Sequence, residues 1–208
     1  MKPPQPKKIP KIHTAHGDER IDDYYWLRDD TRKNPEVISY LEAENKYLES
    51  WFESKNDCRK EIYNELVSFI PPHEVSMKVK YGDYYYFSEI SSDQQYKTYY
   101  REINGNKELV LDVNELAKDL DYFNVASITP SPNNHYIAYA EDLSGRREYN
   151  IKIKNLETGQ IIDESIQRSS GSVVWNKNND TIYYALKDPV TLIENKVFKH
   201  KVGTDTKE

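Results

Sequence analysis

Apolar residues fall at Val37, Leu41, Leu48, Trp51 and Phe52, with Glu42, Glu44, Lys46 and Glu49 between them. That spacing is a helical stripe. Asn34 is a good N-cap, Pro35 suits the first helical position and Glu36 favours the positive end of the dipole. A second stripe runs through Ile62, Leu66 and Phe69, widened by Tyr63, Val67 and Ile70; Asp57 is its expected cap and Pro71-Pro72 its stop. Residues 35–70 therefore read as two helices or one broken helix. Both stripes need a partner surface, which offers roughly 1.5–3 kcal/mol per large side chain buried. Before them, prolines at 3, 4, 6 and 10 bar an early helix, and residues 1–33 read as an irregular tail anchored by Tyr24, Tyr25, Trp26 and Leu27. Asp22-Asp23 can cap a short turn there.

From about residue 77 the period changes to that of strands. Tyr81-Gly-Asp-Tyr-Tyr-Tyr-Phe87, Pro132-Asn-Asn-His-Tyr-Ile-Ala-Tyr-Ala140 and Lys177-Asn-Asn-Asp-Thr-Ile-Tyr-Tyr-Ala185 share one layout, a turn feeding a Tyr-rich strand. Aligned on Tyr86, Tyr139 and Tyr184, each is followed about 13 residues on by another strand (98–102, 150–154 and 196–201). Asn155-Leu-Glu-Thr-Gly159 is a turn suited to joining outer strands. A four-strand unit recurring at this interval is a propeller signature, although short Tyr-rich strands also occur in sandwiches. The third unit is incomplete, which predicts open strand edges.

The 208 residues include 18 tyrosines, and 31% are charged, with a net charge of -6. A mean hydropathy of -0.90 is polar for a closed globule and suits a piece of a larger structure. Nucleic acid is disfavoured as a partner, because the chain lacks a basic stripe and zinc-finger spacing. No run approaches a membrane span and the N-terminus has no apolar leader core, so no membrane association is expected. The single Cys58 forms no internal disulfide, and a cytoplasmic location is the default.

Chemistry is tested most sharply by the glycines at 17, 82, 105, 145, 159, 171 and 203. No two stand four apart, so the Gly-x-Ser-x-Gly elbow of a serine hydrolase is missing. A P-loop and a dinucleotide fingerprint are excluded with it. The histidines are at 13, 16, 73, 135 and 200. His13 and His16, with Asp18, lack the partners of familiar zinc sites and read as local hydrogen-bonding groups. Asp22-Asp23 and Asp29-Asp30 read as caps and surface pairs, since adjacent residues on a turn seldom aim both carboxylates at one point. Arg146-Arg147 follows Asp142 in a loop and can pair with acids on a neighbouring element. Cys58 reads as inert. No catalytic, cofactor-binding or metal-binding residue is expected, and no cofactor.

His16 to Asp30 and Tyr40 to Tyr47 carry a more specific signal, continued by Leu109 to Ala117, Thr129-Pro-Ser-Pro132, Ala138 to Tyr149, Asn155 to Gly159, Val174-Trp175, Pro189 to Leu192 and Val197 to Gly203. Their order resembles the N-terminal part of the oligopeptidase B group in the prolyl oligopeptidase family of serine peptidases. The resemblance implies a mainly β fold with an N-terminal α-helical extension, holding the first two to three blades of an incomplete seven-bladed β-propeller. It places an extension that packs on a hydrolase domain at 1–75, and blades at about 76–122, 123–168 and 169–208. It implies a parent enzyme that cleaves short peptides after Lys or Arg with a Ser-Asp-His triad on an α/β-hydrolase domain. That domain is the implied partner, in cis or in trans, and short basic peptides bind only to the complete enzyme. None of the five histidines corresponds to the family's catalytic one, so the chain is expected to be inactive alone. The alternatives are a non-catalytic module that complements a separately encoded hydrolase half, or a non-functional truncated product.

Overall fold

The computed structural model describes residues 2–205, and the chain falls into two compact units that divide between Ile70 and Pro71. The first unit opens with a hairpin, β1 (Lys11–Ala15) against β2 (Asp18–Asp22), where an irregular tail was expected. Its turn is His16-Gly17, with φ of 53° and 83°. Positive φ at both central residues is the hairpin turn whose twist matches that of the strands. Asp22 Oδ1 accepts from Tyr24 N at 2.9 Å, and a 3-10 turn follows at Tyr25–Leu27. Trp26 Nε1 donates to Lys7 O at 2.8 Å, its ring lies edge-on to Tyr40, and Lys7 pairs with Glu36. The proline-rich tail is thereby tied to the first turns of a helix.

That helix, α1 (Pro35–Phe52), is capped by Asn34 Oδ1 accepting from Glu36 N at 3.0 Å. A 3-10 turn at Glu53–Lys55 leads directly into α2 (Asn56–Ser68). The arrangement is one helical run broken by a tighter turn. Asp57 lies inside the first turn of α2 and caps nothing, because the chain never leaves helical geometry long enough to need a cap there. Among the described residues of this unit Val37 alone is buried, while Leu48, Trp51, Ile62, Leu66 and Phe69 stay at least half exposed.

The second unit is built from antiparallel strands. Its first sheet runs β3 (His73–Val75), β5 (Tyr84–Ser91), β6 (Thr98–Ile103) and β7 (Asn106–Asp112), and β4 (Val79–Tyr81) pairs with the other end of β5. This edge of the sheet is thus one line of chain interrupted at Ser76, whose N and Oγ bond Ser88 O and Ser88 N, each at 2.9 Å. A short helix, α3 (Val113–Leu116), capped by Asp112, leads to a second sheet. This is a six-stranded meander of β8 (Asn124–Pro130), β9 (Tyr136–Asp142), β10 (Tyr149–Asn155), β11 (Ile161–Trp175), β12 (Thr181–Lys187) and β13 (Glu194–Lys201).

β11 serves two neighbours. Its first half pairs with β10 and its last residues with β12, with the register breaking between Ser169 and Val173. The strand turns at Arg168 and Gly171, with φ of 59° and 95°. The turns entering β5, β9 and β12 each carry one left-handed residue, Gly82, Asn134 and Asn179, two positions before the strand. This aligns Phe87 with Tyr139 and Tyr184, and corrects the first unit of the sequence alignment by one residue. The packing agrees. Ile137 and Tyr139 of β9 join Val110, Leu111 and Phe123 in one core, while Ala138 and Ala140 join Ile151, Ile166, Trp175, Ile182 and Tyr184 in another. The sheets do not close into a ring among the described residues.

A Cβ on Gly171 would lie 2.8 Å from the ring of Tyr149, and its φ already disfavours an L-residue. Gly171→Ala is therefore expected to destabilise the strand unit by about 1–3 kcal/mol. An unchanged urea midpoint would show that the bend in β11 is not held there.

Candidate functional site

The polar groups that the fold gathers lie where one strand unit meets the next. At the first junction Tyr86 Oη donates to Asn134 Oδ1 at 2.9 Å. Arg101, buried on β6, donates to Glu108 Oε2 at 2.6 Å and to the carbonyl of Asn134, with Tyr84 stacked on its guanidinium. Burial alone would favour the neutral form of Arg101, but the bonds with Glu108 and Tyr86 outweigh it and hold the group above its ordinary value. Lys154 of β10 completes this junction by donating to Val110 O at 2.9 Å.

The second junction repeats the plan with other chemistry. Asn179 Oδ1 accepts from Asn133 N at 2.8 Å, and Trp175 Nε1 donates to Thr129 O at 3.0 Å. His200 of β13, in the position that Lys154 holds on β10, reaches back to β11: its Nε2 lies 2.7 Å from Asp163 Oδ2. Gly203 N donates to the same oxygen at 2.7 Å, and Ser165 donates to Oδ1 through both N and Oγ. Burial pushes the Asp163 carboxyl up, and the bonds from His200, Gly203 and Ser165 prevail, leaving it below the usual carboxylate range.

These three side chains do not form a catalytic triad. The Ser165 hydroxyl donates to the aspartate and not to the histidine, and the side chains of Asp163 and His200 are almost fully buried. A nucleophile needs the histidine as its own acceptor and an approach for substrate. Its place is taken here by a structural clamp that no residue spacing announced, since 37 positions separate Asp163 from His200.

The other candidates are dispersed. His13 lies on β1 with its ring 4.8 Å from Tyr25, and His16 occupies the hairpin turn. Among the described residues no group of three His, Cys, Asp or Glu side chains is placed to hold a metal. Asp29 accepts from the Thr31 hydroxyl and from the backbone of Asn34, Lys33 and Thr31, which lowers it to about 2, while Asp30 pairs with Arg28. Asp23 turns to Lys8. The adjacent carboxylates thus diverge. Asp142 accepts from Ser144, Gly145 and Arg147 N and shapes the Arg146-Arg147 loop, whose Arg147 carbonyl accepts from Lys187. Cys58 is exposed on α2. An open cavity of about 320 Å³ lies beside Val79, Tyr86, Tyr99, Ile128 and Pro130, and its walls carry no acid, base or histidine.

A model of the prolyl oligopeptidase N-terminal β-propeller domain matches residues 3–208. The chain belongs to the prolyl oligopeptidase family. It is 35% identical to Protease 2 of Moraxella lacunata over 99% of this chain, and 33% identical to dipeptidyl aminopeptidase BI of Pseudoxanthomonas mexicana over 97%. It spans 31% of each of those relatives. Oligopeptidase B of Leishmania major superposes on the whole chain with a TM-score of 0.90 at 29% identity, and 32% of that protein is covered. Oligopeptidase B of Trypanosoma brucei, with covalently bound antipain in a closed form, gives 0.86 at 27% identity over 99% of this chain and 31% of its own.

The Asp163 carboxylate supplies a testable pH dependence. Its folded value lies below the unfolded one, so its contribution is present above the unfolded value and is lost as pH falls through the folded one. Asp163→Asn should cost about 1.5–3 kcal/mol at neutral pH and should flatten the acid limb of a stability-against-pH curve below about pH 4. Parallel acid limbs for the two proteins would show that the clamp is not what the acid removes.

Proposed function

We propose that this chain is the N-terminal, propeller-bearing portion of an oligopeptidase B-like serine peptidase that cleaves short peptides after Lys or Arg. The observation that carries the reading is the superposition of all of this chain on 32% of oligopeptidase B of Leishmania major, together with the match to the family's N-terminal propeller domain. In this reading residues 1–75 form the extension that docks on an α/β-hydrolase domain, in cis or in trans. The exposed stripe through Leu48, Trp51, Ile62, Leu66 and Phe69 supplies the apolar surface for that contact. Residues 76–122, 123–168 and 169–208, the last incomplete and with 206–208 outside the described residues, supply the first blades of a seven-bladed propeller. β11 then acts as the outer strand of one blade and the inner strand of the next, divided by the bend at Arg168 to Gly171.

The propeller would restrict entry to short, unfolded peptides, and the reaction itself belongs to the hydrolase part. No nucleophile elbow exists in the sequence, and the Ser165–Asp163–His200 cluster is closed to substrate. The site needs no cofactor in this reading, and the reducing cytoplasm accommodates the exposed Cys58 thiol.

The purified chain should neither hydrolyse a fluorogenic Arg-Arg peptide nor react with a fluorophosphonate serine probe. Stoichiometric labelling would overturn the assignment of catalysis to another part. Joined to the remaining two-thirds of Moraxella lacunata Protease 2, the chain should support hydrolysis after Arg. A folded, inactive chimera that still labels with the probe would count against the peptidase role of this portion.

A further inference from the structure

The two junctions between strand units are built on matching positions, and the cavity beside Tyr86 lies in the first of them. Val79 pairs with Tyr86 as Thr129 pairs with Ala138, and Ser88 pairs with Tyr99 as Ala140 pairs with Ile151. On the incoming side Pro130 pairs with Ile137 as Trp175 pairs with Ile182, so Pro130 and Trp175 hold the same place in successive units. At the second junction the buried Trp175 shares a core with Ala138, Ala140 and Ile151, and its ring N–H donates to Thr129 O at 3.0 Å. At the first junction Pro130 brings no aromatic ring. Tyr86 returns part of that volume from the place of Ala138, but its hydroxyl is drawn off to Asn134. About 320 Å³ stays open beside Val79, Ser88, Tyr99, Ile128 and Pro130, roughly twice the volume of an apolar cavity that takes up benzene.

The walls depart from the repeat in polarity as well as in volume. Ala140 and Ile151 are apolar and buried, whereas Ser88 and Tyr99, in the same places one unit earlier, each bring a hydroxyl. Among the described residues neither hydroxyl has a hydrogen-bond partner, and neither is sealed from solvent. Ser88 is only 7% exposed and lines the cavity, so its hydroxyl opens there. Burial pushes the Tyr99 hydroxyl up and no bond offsets it, which keeps the group neutral. An unpaired hydroxyl at a core position is costly. Two of them on one void, where the next unit has Ala and Ile, break the internal rule of the repeat without a structural gain, and such breaks mark functional positions.

We propose that the cleft between the first two strand units binds a free, neutral aromatic molecule of about indole size. Its ring takes the place that Trp175 fills at the next junction, and its N–H or O–H meets the Ser88 and Tyr99 hydroxyls, each of which can donate or accept. The ligand is neutral because the walls hold no acid, base or histidine, and Arg101 nearby is committed to Glu108 and the Asn134 carbonyl. A ring carried by a peptide fits less well, since its backbone groups would lie against the apolar side chains of Met77, Val79 and Pro130. The inference rests on the repeat geometry and not on the peptidase reading, so either can fail without the other.

Indole and toluene are the probes, one with a ring N–H and one without. Indole titrated into the purified chain should shift the methyl resonances of Val79, Val110 and Ile128 saturably, with a Kd below about 1 mM. Pro130→Trp, which supplies the ring from within, should abolish those shifts. Ser88→Ala combined with Tyr99→Phe leaves the space open and should weaken indole by about tenfold. The same double variant should hold toluene within about twofold of the unmodified chain, because toluene has no hydrogen bond to lose. A void without a built polar site would not separate the two probes. Indole that fails to saturate these methyls at millimolar concentration would overturn the proposal, as would equal indole binding by the unmodified chain and the double variant. Should Pro130→Trp fail to fold, Ile128→Phe narrows the same cavity; loss of indole there supports the site, and undiminished binding overturns it. Shifts of these methyls by N-acetyl-tryptophanamide but not by indole would assign the cleft to a peptide side chain and overturn the proposed ligand.

Discussion

No strand unit of this protein can bury its own side chains. β9 shows the constraint plainly. Ile137 and Tyr139 point into one core and Ala138 and Ala140 into another, and all four are almost fully buried. A single antiparallel sheet has two faces and no interior, so each unit is stable only against its neighbours. Stability then accumulates by nearest-neighbour contacts, as in other repeat architectures. The second core sets small Ala138 and Ala140 beside large Tyr184 and Trp175, a pairing of sizes that suits close packing.

Apolar burial is nondirectional, and it leaves open how far one sheet slides over the next. The polar ties remove that freedom. Each runs between elements distant in sequence and ends on a group that would be costly to leave unpaired when buried. Lys154 to Val110 and His200 to Asp163 occupy equivalent places with unlike chemistry. The fold therefore requires a donor at that point and not a particular residue. Asn134 and Asn179 carry two duties each, since the left-handed backbone closes the turn and the side chain reaches the preceding unit.

Much of this was legible in the residues. The helical stripes of 35–70, the cap at Asn34 and the three turn-and-strand repeats all follow from local periodicity and turn chemistry. The hairpin of 11–22 was not, because the prolines before it dominate the reading and His16-Gly17 is a weaker signal than Asn-Gly. The one-residue slip at Tyr86 arose because aromatic residues occur on both faces of these strands. In Tyr84-Tyr-Tyr-Phe87 composition cannot say which ring points which way, and only the left-handed residue ahead of the strand fixes the register. The Asp163–His200 clamp and the Arg101 latch were invisible for a different reason. A lone buried charge is tolerable only with its partner, and sequence separation hides who the partner is.

The same physics separates architecture from chemistry. A general base or nucleophile must be reachable and must keep a free lone pair or proton for substrate. The charged groups that tie the junctions are engaged there: Arg101 by Glu108 and the Asn134 carbonyl, Asp163 by His200, Gly203 and Ser165, and the half-buried Lys154 by Val110. The cavity beside Tyr86 is open but lined without a titratable group other than tyrosine. What the described residues offer to a larger assembly is therefore shape, apolar surface and hydrogen-bonding register. Such a scaffold can serve different active sites, because the demands that fix it are internal to the repeat and make no reference to the bond being cleaved.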